Sequence, residues 1–205
     1  MSYLTGYSML VGMRKKQNKK VILASASPWR KTLLARAGIE FDVEVSGFDE
    51  NLKQTLKPKE LVKQLALGKA RAVAIHHKNA VVLGADSVAV YKGQILGKPK
   101  NDRAARAVLR TLSGKEHTLV TGFAIIDAKT GKTIVKVMET RVQFRALTST
   151  EIDSYVKTKE PVTVAGGYAI QGGGASFAKQ IKGDFYNIVG LPLATVVEEL
   201  RKFGV

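Results

Sequence analysis

Cysteine is absent from the 205-residue chain, so no disulfide framework, thiolate nucleophile or cysteine-based zinc cluster can form, and an intracellular setting is favoured. Histidine occurs three times, as His76, His77 and His117. A tightly held ion must therefore rest on oxygen ligands or on these few imidazoles. Acidic residues are scarce as well: 17 Asp and Glu stand against 33 Lys and Arg, a formal net charge of +16. A field of that sign draws in polyanions, whether nucleic acid, an anionic membrane face or free nucleotides, and does not choose among them. The longest apolar runs, such as Ala80 to Leu83 and Ile188 to Leu193, fall far below the roughly 20 residues of a membrane span. The rest is ordinary. Hydrophobic residues at 45% and charged residues at 24% match folded proteins and exclude disorder and fibrous repeats. The length suits one core of common size, or two small lobes sharing a cleft.

Residues 1–19 read as an appended basic tail, because Arg14, Lys15, Lys16, Lys19 and Lys20 follow the weakly apolar Leu10-Val11 instead of preceding a longer apolar core. Met9 and Met13 leave open a later natural start. From residue 20 to 205 a single domain is expected. Val21 to Ala24 reads as a buried strand, followed by a tight turn and a helix from Trp29 to Ala37 with Pro28 at its start and Gly38 at its end. Phe41 to Val45 alternates as a second strand, and Pro58 opens a long helix to about His77, weakened by Gly68. Ala80 to Ala85 is a buried-type strand, and Ser87 to Tyr91 pairs with Gln94 to Leu96 across a Lys92-Gly93 turn. Asn101 caps a helix ending at Ser113-Gly114; strands at 117–127 and 132–145 form an antiparallel hairpin; Thr148 or Ser149 caps a helix to Lys157. A glycine-dense segment, 165–174, and a final amphipathic helix, 191–203, complete the chain. Hairpins interrupt any repeated βαβ unit, so the expected class is α/β with a mixed sheet.

Several segments carry candidate chemistry. In Ala24-Ser25-Ala26-Ser27-Pro28-Trp29-Arg30, small residues between a strand and a helix N-terminus let backbone N–H groups face an anion. Ser25 and Ser27 add hydroxyls, and Arg30 adds a planar fork suited to phosphate. A plain helix cap at Ser27 explains the same residues equally well. Asp86 follows an apolar run and is expected at that strand's carboxyl end, where α/β sheets place ligands; it could hold Mg²⁺ or take a proton from water, or simply close a turn. Lys98 is constrained between Gly97 and Pro99. Asp49-Glu50 offers further carboxylates. Gln171, in Gly166-Gly167-Tyr168-Ala169-Ile170-Gln171-Gly172, could read a pyrimidine edge with its amide. Neither a P-loop lysine motif nor a dinucleotide-binding glycine pattern is present, and His76-His77 suits a helix C-terminus better than a metal.

Taken in order from about Lys20 onward, these motifs, with Lys69-Ala70, Gly84-Ala85-Asp86-Ser87-Val88, Leu112-Ser113-Gly114, His117, Thr121-Gly122 and Val189-Gly190-Leu191-Pro192, resemble the Maf, or septum formation inhibitor, family. The resemblance implies an elongated mixed α/β fold with a central cleft, akin to the inosine triphosphate pyrophosphatases. It also implies a metal-dependent nucleoside triphosphate pyrophosphatase, using Mg²⁺ or Mn²⁺, that releases a monophosphate and pyrophosphate. Carried over by position, Asp86 is the catalytic acidic residue and a metal ligand with Glu50, while Ser27, Arg30, Lys69 and Lys98 handle the triphosphate beside Ser25. Gln171 and Ser87 resemble the branch acting on dTTP and UTP. Trp29 resembles the branch acting on 7-methyl-GTP, where indole could stack on a cationic purine, although core packing next to Leu33 is the more ordinary fate of a lone tryptophan. A cytoplasmic homodimer that needs neither membrane nor nucleic acid completes the expectation. A nucleic-acid binding module without catalysis is the competing class, carried by charge alone.

Overall fold

The computed structural model describes residues 17–50 and 56–205. Its elements are β1 (Val21–Leu23), α1 (Pro28–Arg36), β2 (Asp42–Val43), α2 (Pro58–Ala74), β3 (Val81–Tyr91), β4 (Gln94–Leu96), α3 (Asp102–Leu112), β5 (Glu116–Asp127), β6 (Thr133–Phe144), α4 (Ser149–Lys157), β7 (Ala178–Lys182), α5 (Phe185–Val189) and α6 (Leu193–Arg201). Short 3-10 turns fill much of the glycine-dense segment between α4 and β7. The expected caps form: Ser27 accepts from the Arg30 N–H, Asn101 from the Ala104 N–H, and Thr148 with Glu151 makes a reciprocal capping box. The Lys92-Gly93 turn has positive φ at both residues, 49° and 77°, as a tight hairpin with the right-handed twist requires.

The seven strands form one mixed sheet in the order β2-β1-β3-β5-β6-β7, with β4 joined to β3. β1 runs parallel to β2 and β3; every other pairing is antiparallel. The chain leaves β1 for β2 on one side and returns to β3 on the other. That reversal is the kind of switch point at which open α/β sheets hold ligands. Alternate residues of β3 define the two faces. Val81, Leu83 and Ala85 pack with Leu33 and Leu34 of α1 and Val196 and Leu200 of α6, whereas Val82 joins Ala66, Ala70 and Val73 of α2.

Helix α2 lies unusually close to the sheet, because a β-carbon at Gly84 or Gly122 would run into its backbone at Ala66 and Ala70, or at Val62. A third cluster, with Leu109, Phe144, Tyr155 and Phe177, fills the far end under α3 and α4.

Several expectations need correction. The strands expected at 80–85 and 87–91 are one continuous strand, so Asp86 lies in mid-strand and not at a strand end. Helix α2 stops at Ala74, and His77 instead meets Glu44 at 2.8 Å. The strand expected at 41–45 shrinks to two residues, and the final helix to 193–201. Neither β7 nor α5 was anticipated. Of the segment read as a tail, residues 1–16 lie outside the described residues; Gln17 bonds to the Glu40 carbonyl and Lys19 pairs with Asp127. Among the described residues no helix is long and apolar enough to cross a membrane.

Candidate active site

One edge of β3 is paired by β5 along nearly its whole length. The other edge meets β1 only at residues 81–83 and β4 only at residues 89–91. Between them, residues 84–88 have no strand partner on that edge, and the sheet opens. The turn Ala24–Ser27 leaves β1 beside this opening, tied by the Ala24 N–H to the Leu83 carbonyl at 2.8 Å. Asp86 and Ser87 occupy its centre and, being adjacent in a strand, face opposite sides.

On the α2 side Asp86 meets Lys69. Lys69 Nζ lies 2.6 Å from Asp86 Oδ1 and 2.9 Å from Glu50 Oε1, with the three side chains 9%, 15% and 61% exposed respectively. Lys69 is thus a buried ammonium whose charge is shared by two carboxylates, one sheltered and one open to solvent. Gly68 makes the second contact possible: the Phe48 ring occupies the space a β-carbon would take there, which seats the segment carrying Glu50 against α2.

On the opposite side Arg30 is buried and each of its nitrogens meets one neutral acceptor. Its Nε donates to the Gly190 carbonyl at 2.9 Å, Nη1 to Ser25 Oγ at 3.1 Å and Nη2 to Ser87 Oγ at 3.2 Å. Burial lowers its pKa, and the nearby charges of Asp86 and Glu50 oppose that shift. No carboxylate is in direct contact with it among the described residues. A guanidinium held this way keeps its charge available to an incoming anion.

The structure therefore brings Ser25, Arg30, Glu50, Lys69, Asp86 and Ser87 around one opening, with Ser27 half-buried at the start of α1. It does not bring every expected residue there. Lys98 is exposed, and neither it nor the half-buried Gln171 makes a hydrogen bond or ion pair to this group among the described residues. The glycines after Gln171 pack against Glu160 and Tyr155 instead. Trp29 is 37% exposed on the first turn of α1, so it does not enter the core beside Leu33. Thr121, Asn187 and the Gly190 carbonyl also border this group, although in the sequence Thr121-Gly122 and Val189-Gly190 signal only family resemblance.

For a divalent cation the donor set fits. Asp86 and Glu50 each keep one carboxylate oxygen without a protein partner among the described residues. Mg²⁺ is commonly held by one or two carboxylates, with phosphate oxygens and water completing its shell. No cluster of three or more His, Asp or Glu side chains suited to a metal exists among the described residues, so the protein offers a partial shell and not a closed cage.

Comparison with known proteins gives consistent results. A family model described as Maf-like protein matches residues 20–203. The dTTP/UTP pyrophosphatase of Bacillus mycoides (strain KBAB4) is 49% identical over 185 residues, covering 90% of this chain and 96% of its own. The dTTP/UTP pyrophosphatase of Bacillus cereus (strain G9842) is 47% identical over 187 residues, covering 91% and 97%. Among solved structures, a HAM1 protein from Coxiella burnetii superposes with a TM-score of 0.51 at 13% identity, over 90% of this chain and 99% of that one. That likeness concerns the fold.

Proposed function

Because the chain belongs to the Maf-like protein family, we propose that it is a nucleoside triphosphate pyrophosphatase acting on dTTP and UTP. Water adds across the Pα–O–Pβ bridge; that bond breaks, and the products are a nucleoside monophosphate and pyrophosphate. The observation that carries the reading is the Asp86–Lys69–Glu50 cluster set in the sheet opening beside a buried arginine that, among the described residues, has no carboxylate in contact. The names of the relatives that share about half of its residues support the same substrates.

Each group has a role that follows from its chemistry. Arg30, braced on three sides, and Lys69 neutralise phosphoryl oxygens where charge builds in the transition state. The Ser27 hydroxyl, half-buried at the start of α1, suits a phosphate oxygen. Asp86 Oδ1 is engaged by Lys69, so Oδ2 is the oxygen left to act on the attacking water, as its proton acceptor or through a bound cation. A divalent cation, Mg²⁺ or Mn²⁺, would rest on Asp86 and Glu50 and would supply charge neutralisation and a lowered pKa for bound water. Lys98 and Gln171 join this reading by family resemblance alone, as groups that approach when nucleotide fills the opening. A single domain over residues 20–205, a cytoplasmic location and a homodimer go with it on the same ground.

The test is a panel of nucleoside triphosphates with Mg²⁺ or Mn²⁺. Release of dTMP or UMP with pyrophosphate is expected, and orthophosphate as the direct product overturns the proposal. Asp86→Asn removes the proton acceptor with little change of shape, and turnover should fall by roughly 10² to 10⁴-fold. A second reading, 7-methyl-GTP as substrate, rests on the exposed indole of Trp29. Including 7-methyl-GTP in the panel and repeating it with Trp29→Arg decides between the two, since loss of the indole removes only the purine platform.

A further inference from the structure

We infer that Thr121, which touches no substrate group, is a positioning residue that holds Arg30 in its phosphate-binding pose through Ser87; the inference rests on Arg30 serving the triphosphate. The direction of each hydrogen bond can be worked out along the chain of contacts. Thr121 Oγ1 lies 3.0 Å from the Asn187 carbonyl. A carbonyl only accepts, so the single proton of Thr121 is committed there. The 2.9 Å contact between Ser87 Oγ and Thr121 Oγ1 must then be donated by Ser87. With its proton so used, Ser87 presents lone pairs to Arg30 Nη2 at 3.2 Å.

The far end of the relay is equally fixed. Asn187 is wholly buried, and its amide nitrogen donates to the Leu119 carbonyl at 3.2 Å and to Thr140 Oγ1 at 3.1 Å. Thr140 spends its own proton on the Asp184 carbonyl at 2.9 Å, so both neighbours of that nitrogen are acceptors and the amide has one orientation. The Asn187 side chain thus anchors the residue whose main-chain carbonyl takes the Thr121 proton, and Thr121 in turn takes the proton of Ser87, away from Arg30. The register supports this, since Ser87 lies directly opposite Thr121 in the β3–β5 pairing.

Without the Thr121 hydroxyl, Ser87 has one other acceptor in reach, the Gly190 carbonyl at 3.4 Å. That carbonyl already accepts from Arg30 Nε. The loss thus disturbs two of the three contacts that aim the guanidinium, although Thr121 touches neither Arg30 nor the opening. Cooperative chains of this kind act as units.

The experiment measures the affinity of the full-length protein for inorganic tripolyphosphate by calorimetry, together with kcat/KM for dTTP. Thr121→Val should weaken tripolyphosphate binding by about tenfold and lower kcat/KM by a similar factor, and Thr121→Ser should restore both to within about twofold. In an Arg30→Lys background, Thr121→Val should change the affinity by less than about twofold, because the group it positions is gone. An equal loss in both backgrounds marks a merely structural role and overturns the inference, as does an unchanged affinity in the otherwise unsubstituted protein. If Thr121→Val does not fold, Ser87→Ala cuts the same relay from the other side, and its failure to give the Arg30-dependent loss is equally decisive. A protein that binds tripolyphosphate yet hydrolyses no nucleoside triphosphate overturns the proposed function and leaves the coupling measurable. Absence of tripolyphosphate binding overturns both.

Discussion

Replacing Gly68 by alanine should separate stability from activity. In an open helix interior the change stabilises by about 1 kcal/mol. At this position the new β-carbon would lie 2.6 Å from both Cε atoms of Phe48, against an ordinary carbon contact of about 3.5–4.0 Å, so one partner must retreat by about 1 Å. Helix α2 is pinned against β3 and β5 at Gly84 and Gly122, whereas Phe48 belongs to a loop; the ring therefore moves. A half-buried phenylalanine side chain gives up about 1 kcal/mol when displaced, roughly half the value for full burial. The two effects offset, and the melting temperature should stay within about 4 °C of the original. Two residues beyond Phe48, Glu50 loses its 2.9 Å contact with Lys69. Glu50 is too exposed for that contact to matter to stability, but the open carboxylate of the site is no longer in place. Hydrolysis of dTTP should fall by at least about tenfold in kcat/KM. Phe48→Ala should cause the same loss of activity with about 1 kcal/mol of destabilisation. Full activity in Gly68→Ala, with a melting temperature raised by about 2–4 °C, would refute the reasoning.

Gly84→Ala should behave in the opposite way, because its β-carbon meets the α2 backbone at Ala66 and Ala70 and not a movable ring. Overpacking against backbone costs about 3 kcal/mol, read as a lower urea midpoint. His117 predicts a pH dependence. It is almost fully buried against Tyr168, with Nδ1 unpartnered among the described residues, and burial lowers its pKa from 6.5 to about 4. The unfolded chain takes up a proton in that window that the folded protein refuses. Stability is therefore complete above pH 6.5 and declines toward pH 4 by about 3 kcal/mol. Urea midpoints of the protein and its His117→Gln variant at pH 7 and 4.5 test this; equal declines in both exclude His117 as the source.

The elements with local signals were legible in the sequence. Ser27-Pro28 announced α1, Asn101 and Thr148 announced α3 and α4, and Lys92-Gly93 fixed the β3–β4 hairpin, each through a cap or turn whose chemistry spans four residues or fewer. Strand β7, Ala-Lys-Gln-Ile-Lys, and the five-residue α5 were not. The first carries too little apolar alternation and is held by pairing to β6. The second depends on an Asp184 cap and on buried Asn187.

The strand expected to end at Ala85, with Asp86 at its carboxyl end, runs on to Tyr91, and Gly84 lies inside it. Its lack of a side chain serves a neighbouring helix instead, and nothing within the strand records that neighbour.

The same distinction separates the legible from the illegible part of the site. Ser25, Ser27 and Arg30 share one turn, so their proximity follows from chain connectivity. Lys69 and Asp86 meet only because α2 descends onto Gly84 and Gly122, and family resemblance, not spacing, pointed to Lys69. Thr121 became part of the site through register alone. In the observed pairing Asp86 faces α2 opposite Gly122, the one residue type that leaves the helix room, while Ser87 faces Arg30 opposite a hydroxyl. A slip of β5 by one residue would turn the Thr121 side chain toward the α2 backbone and place glycine beneath Ser87. Helix packing and the Arg30 brace would then fail together, so the close approach that brings Lys69 to Asp86 and the relay that aims Arg30 are set by one register.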